Sequence, residues 1–130
     1  SSFSNPSIKR LFIDLDRSGG LQQQFYELRF EVNRAVATLN DLKKQKRLDE
    51  LYAFREHNKG TFKVKSQVRA IERYMDNWRR KRDNLLRRTD ISAIAKSDMI
   101  RDMELSRDKR LAIVPALRQK ADVPALSLFN

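Results

Sequence analysis

From Val64 onward the apolar residues of this chain fall at alternating steps of four and three: Val64, Val68, Ile71, Met75, Trp78 and Leu85, with Arg82 standing in the one remaining place. Steps of four and three put every one of these side chains on a single stripe of an α-helix, predicted over Lys63 to Arg88. A stripe of that length has to be buried against something, and a second helix is what it fits. Leu21, Phe25, Leu28, Val32, Val36, Leu39 and Leu42 supply it, at steps of three and four down a helix of about six or seven turns. The chain is therefore expected to be all-α, with five or six helices around a long antiparallel pair formed by 21–45 and 63–88. About a dozen large side chains along this seam would contribute ~1.5–3 kcal/mol each before the entropy cost, enough for independent folding.

Shorter helices are expected around the pair. Asn5 caps and Pro6 opens a first one, with Ile8, Leu11, Phe12 and Leu15 on its apolar side and Gly19-Gly20 at its end. The pattern is lost over Lys43–Arg47, which predicts a bend or short break. Leu48, Leu51, Tyr52 and Phe54 predict a short helix stopped by Asn58-Lys59-Gly60. Asp90 is placed to cap a helix running through Ile91, Ile94 and Met99, and Ser106 to cap a last one carrying Leu111, Val114 and Leu117. Pro115 should kink or shorten that last helix. Residues 123–130 are expected as an extended apolar tail. The aromatics Phe12, Phe25, Tyr26, Phe30, Tyr52, Phe54, Tyr74 and Trp78 lie at or beside stripe positions, where the core is the default reading. Tyr26 and Phe30 sit slightly off their stripe, which suggests a second packing surface.

The 130 residues hold one domain with one modest core. With three Gly, three Pro and 35% charged residues, few tight turns and many wet helix faces are expected. Disorder is excluded because the apolar residues are periodic and plentiful. No apolar run approaches the ~18–20 residues of a membrane span, and no signal-peptide pattern opens the chain. The absence of Cys rules out disulfides and thiolate metal sites. It fits a reducing compartment, or a protein that must cross an oxidising one. A start at Ser1 and an apolar stretch at Leu126–Phe129 lead us to expect a piece of a longer polypeptide, although a trimmed chain would look the same.

Catalytic constellations are missing. His57, the only histidine, stands beside Asn58 and Gly60 at a predicted helix end, without a Cys or an elbow-type Ser to work with. Asp14 and Asp16 are two apart, so on a helix they point in nearly opposite directions and cannot share an ion. Glu27 and Glu31 do share a face, but the Glu-x-x-His steps of a di-iron bundle are absent, and a solvated face is the expected reading. Ser18-Gly19-Gly20 is a bare turn and no Gly-rich phosphate loop exists. No enzyme activity, cofactor, metal or small-molecule substrate is expected.

Charge is the remaining signal. The net +11 exceeds what a fold needs and points to a partner of opposite sign: nucleic acid, an acidic protein face or, third, a membrane surface. Between Lys63 and Arg88 ten basic residues oppose three acids, a difference of +7. Arg69, Arg73, Arg80 and Arg87 lie at steps of four, seven and seven along one side of the helix, and Arg79, Lys81 and Arg88 widen it into a strip. Such a strip can track a phosphate backbone, or simply be a solvated face. No helix-turn-helix or RNA-binding aromatic pattern points to specific readout.

Three segments resemble the large polyvalent protein-associated helical domains of phage and mobile-element polyproteins, related to C-terminal parts of phage internal virion (ejection) proteins. They are Ile8-Lys9-Arg10-Leu11-Phe12 with Gln24-Phe25-Tyr26-Glu27-Leu28, then Leu85 to Ile94, then Asp108-Lys109-Arg110-Leu111-Ala112-Ile113 after Ser106. Pro115 and the tail after Pro124 depart from that pattern. The resemblance implies a non-catalytic structural or interaction module of a giant protein, acting in virion assembly or DNA delivery. Its partners would be other protein segments of the same assembly, in the virion or delivered into the host cell, and otherwise the cytoplasm. The alternative is a sequence-independent nucleic-acid-binding domain using the basic helix 63–88.

Overall fold

Gly20 begins the part of the chain that the computed structural model describes, residues 20–122; the expected first helix, with Asp14 and Asp16, and the expected 123–130 tail lie outside the described residues. Gly20 is in the left-handed conformation, φ 81°, which a side chain would disfavour, and its carbonyl accepts from Gln24 N–H as the first helix opens. The described residues are helical throughout, without a strand: α1 (Leu21–Lys44), α2 (Leu48–His57), α3 (Lys59–Arg87), α4 (Ala93–Leu111) and α5 (Val114–Lys120).

α1 stops where the apolar spacing is lost. Lys46 takes φ 56°, Arg47 N–H donates to Leu42 O and Lys46 N–H to Lys43 O, which satisfies carbonyls that a helix end leaves unpaired. The ten residues of α2 are too few to hold a helix in water alone. Leu51 is its one buried residue, packing with Leu39 and Leu42 of α1, while the Phe54 and Phe62 rings meet edge-on at 6.2 Å. Leu48 and Tyr52, expected to be apolar anchors, are exposed instead, because Leu51 and Phe54 are the α2 residues that pack toward α1 and α3.

Asn58 alone separates α2 from α3, its side chain donating to Phe54 O at 2.9 Å. Lys59 and Gly60, expected as part of the stop, open the 29 residues of α3. Gly60 answers a packing need rather than a turn: a Cβ there would run into the Lys120 carbonyl oxygen. Thr61 locks the same corner by donating its hydroxyl to Ala121 O at 3.2 Å.

The main core gathers Phe25, Leu28 and Val32 of α1, Val64, Val68, Ile71 and Met75 of α3, and Leu111, Val114, Leu117 and Ala121 at the end of the described chain. Contacts between α1 and α3 are taken up in order. Tyr26 meets Arg79, Asn33 meets Arg69, and Leu39 and Leu42 share a cluster with Phe62.

α4 departs most from expectation. Ser92, not Asp90, caps it, accepting Ala95 N–H at 3.1 Å, while Asp90 holds Arg88. Ser106 starts no new helix, since α4 continues through it to Leu111. The interruption comes at Ala112-Ile113, and Pro115 sits in the opening turn of α5, where its missing N–H leaves no gap. Ile94, Met99 and Leu105 are exposed at 78%, 44% and 56%. The inward face of α4 is instead Glu104, Arg107 and Leu111.

Trp78 joins this face to α3. Its indole N–H donates to Met103 O at 2.8 Å, and the guanidiniums of Arg82 and Arg107 lie over its ring at 5.2 and 4.7 Å. Arg107 is fully buried and donates Nε to Asp108, so the indole face is a large part of what offsets desolvation of its charge. Trp78→Ala removes the ring, one hydrogen bond and the cover of a buried cation, and is expected to lower stability by at least the ~3–5 kcal/mol of a buried aromatic, read by urea unfolding. Gly60→Ala gains at most ~1 kcal/mol of helix propensity but displaces the α5 end, at ~1–3 kcal/mol. We expect a net loss, measured by the same unfolding curve.

Candidate polyanion-binding face

Because Val64, Val68, Ile71, Met75, Trp78 and Leu85 are turned inward, the helical repeat sends residues on the opposite side of α3 to solvent. Arg73, Arg80 and Arg87 are exposed there, and Lys81 is exposed on the flank toward α4. Arg80 donates to Asn77 of its own helix, which orients the guanidinium without neutralising it. Lys81 stands at the mouth of a cavity of about 360 Å³ that Tyr74, Trp78, Asp102 and Met103 also line.

The other three members of the expected strip are engaged elsewhere. Arg69 donates to Asn33 of α1 and pairs with Glu72 at 3.4 Å. Arg79 is half-buried, over the Tyr26 ring at 5.4 Å and 3.5 Å from Asp76. Burial, and then the nearby Arg82 charge, pull its pKa below the usual arginine value, with Asp83 opposing. It still carries its charge at neutral pH, since arginine starts so high. Arg88 lies beyond α3 in extended backbone and grips Asp90 with two nitrogens. Those hydrogen bonds raise the Arg88 pKa and hold the Asp90 carboxyl below the usual carboxylate range. Of the expected strip of seven, Arg73, Arg80 and Arg87 thus form a solvent-facing row, Lys81 is exposed toward α4, Arg69 and Arg79 are bound to α1, and Arg88 is turned aside.

α1 contributes cations that the reading of α3 alone missed. Arg29 lies over the Tyr26 ring at 4.9 Å, and Arg34 is exposed further along α1. Their signal was the off-stripe position of Tyr26 and Phe30. Tyr26 does pack, its ring 5.6 Å from Phe25, whereas Phe30 is 60% exposed.

The acidic pair Glu27 and Glu31 does not form a solvated face. Glu27 is 7% exposed and pairs with Arg118 of α5, with Gln23 donating to it at 3.2 Å. It is buried because α5 lies across this part of α1, which no local pattern reveals. His57 is exposed at the last position of α2, where it lines an open cleft of about 440 Å³ with Glu56, Lys63, Lys120 and Asp122. Among the described residues no group of three or more His, Asp or Glu is placed to hold a metal ion, and no helix is long and apolar enough to cross a membrane.

No known protein family matches the chain, and no curated protein or solved structure matches it either.

The two kinds of ion pair should separate under mutation. Arg118→Met strands the buried Glu27 carboxylate and is expected to lower stability by ~3–5 kcal/mol. Arg47→Met, which breaks an exposed pair with Glu50, should change it by less than ~1 kcal/mol. Thermal melts of the two variants side by side check the contrast.

Proposed function

We propose that this chain is a non-catalytic helical interaction module that binds polyanions through the outer face of α3. The observation that carries the reading is the row Arg73, Arg80 and Arg87, exposed along one side of a helix whose opposite side is core, with Lys81 exposed on the flank toward α4. A row of cations on a rigid rod gains by releasing the counterions condensed on a phosphate backbone, and the contact has no sequence preference of its own. The absence of nucleophile, base and metal constellations in the sequence supports a binding role over an enzymatic one.

The helices of 21–44 and 59–87, whose contacts run in opposite order along the two elements, are read as the antiparallel pair on which this face is built. The resemblance to polyvalent protein-associated domains supplies the setting we propose: a segment of a phage- or mobile-element-encoded giant protein, in virion assembly or DNA delivery, carried in the virion or into the host cell. Other protein segments of the same assembly are its further partners in that setting.

Duplex DNA of any sequence and heparin should both bind, with Kd ~10⁻⁴–10⁻⁶ M for the duplex near physiological salt. Log affinity should fall linearly with log salt, and Arg80→Gln with Arg87→Gln should flatten that slope by about two units without altering the melting temperature. Titrations at ~50 and ~200 mM salt, over which such binding weakens steeply, make the comparison. Binding to neither polyanion at low salt overturns the reading.

A further inference from the structure

Ile94 and Leu105 are the apolar residues that α4 leaves barest, at 78% and 56% exposure. Three helical turns separate them to within about 20°, so both point to the same side of α4, roughly 16 Å apart along its axis. Asp98 and Arg101 lie between them in sequence and are exposed. At ~100° per residue the four positions fall within an arc of about 60°. Glu104, Arg107 and Leu111, which α4 turns inward, are centred about 120° away from that arc.

The order of these four residues is symmetric. Ile94 and Leu105 are equally distant from the midpoint between Met99 and Ile100, and so are Asp98 and Arg101. A second α4 laid antiparallel across that midpoint sets Ile94 opposite Leu105 and Asp98 opposite Arg101, and a two-fold axis repeats both pairings. Each apolar residue then meets an apolar one, and each charge meets its opposite. Asp98 and Arg101 form no ion pair with each other or with another described residue, so neither gives up a partner to do this. Charge balance also singles out this helix. A chain of net +11 repels its own copies, which can approach only where charge is locally matched. From Ala93 to Leu111 five basic residues stand against four acids, a difference of +1, against +7 between Lys63 and Arg88. A polyanion finds no row of cations here, and an anionic membrane surface would meet the Asp98 carboxylate.

We propose that two copies of this chain associate through the outer faces of α4, antiparallel about a two-fold axis between Met99 and Ile100. Ile94 of each copy packs on Leu105 of the other, and Asp98 of each pairs with Arg101 of the other. One helix against one helix is a small interface, of the weak and reversible class below ~1,200 Å². The association is independent of the polyanion-binding face on α3 and stands or falls without it.

Sedimentation equilibrium of the full chain reads the association, at ~0.15 M salt, where repulsion between the two copies is screened beyond ~8 Å. Across ~10⁻⁶ to ~10⁻³ M protein, the range of weak complexes, the average mass should rise from 15.4 kDa toward twice that value. Arg101→Asp faces an aspartate with an aspartate at both ends of the two-fold and should weaken the dimer by about ten-fold or more. Asp98→Arg should do the same. The double variant Asp98→Arg with Arg101→Asp re-forms both pairs with their signs exchanged and should recover the parent affinity. Ile94→Ser should abolish the dimer. All four variants should melt with the parent protein, because the altered side chains are exposed. A chain that stays monomeric throughout overturns the proposal. So does a dimer indifferent to Arg101→Asp and Ile94→Ser, which would lie on another surface. A double variant no better than the single ones overturns the antiparallel pairing.

Discussion

Phe25, Leu28 and Val32 against Val64, Val68, Ile71 and Met75 form the contact on which the other elements depend. α3 carries charge over most of its surface and has no cap of its own at Asn58, so local signals alone would hold it poorly. Removing this stripe from water supplies the stabilisation, and it also sets the rotation of each helix about its axis. Once the stripes face each other, the outward direction of every remaining residue on α1 and α3 follows from the 3.6-residue repeat. α2 packs at the Leu39–Leu42 end of the seam through Leu51, and α5 lies against the seam through Val114 and Leu117, its last residue reaching Gly60 in the first turn of α3.

The large positive charge is handled in three different ways by this arrangement. Some cations are drawn inside and matched, as Arg118 is by Glu27, or lodged against an aromatic face, as Arg107 is by Trp78. Others tie helices together at the rim, as Arg69 does through Asn33 and Arg79 through Tyr26. A third group keeps its charge directed at solvent, Arg73, Arg80 and Arg87 on the far side of α3 among them. A count of Lys and Arg treats all three alike, but only the last is available to a phosphate backbone without giving up a contact within the fold. The flank differs again, because there two guanidiniums, Arg29 and Arg79, lie over the Tyr26 ring.

Interior charge also shapes stability. The α4 side of the molecule buries Glu104 and Arg107 where an ordinary core would place aliphatic residues. Buried ionic groups are strongly destabilising when one partner is lost, yet add little net stability when intact. Trp78 is the hinge of that balance, since one side chain fills volume, donates to Met103 O and covers two guanidiniums.

Period and composition were enough to determine the all-helical class, the extents of the two longest helices to within a few residues, and the buried identity of Val64, Val68, Ile71, Met75, Trp78 and Leu85. These follow from local geometry: a four-three stripe admits no other regular structure. What lay beyond reach depended on residues distant in sequence. Gly60 reads as a stop from its neighbours and is a packing glycine because Lys120, sixty residues on, passes beside it. Glu27 reads as solvated and is buried because Arg118 arrives from α5. α4 was misjudged because apolar spacing pointed to Ile94 and Met99, which are exposed, while the residues it buries include the charged Glu104 and Arg107. The seven-residue basic strip was legible as a spacing, but which of its members stay free was decided by Asn33, Tyr26 and Asp90. Local pattern states which face a residue occupies, and only the tertiary structure states what that face meets.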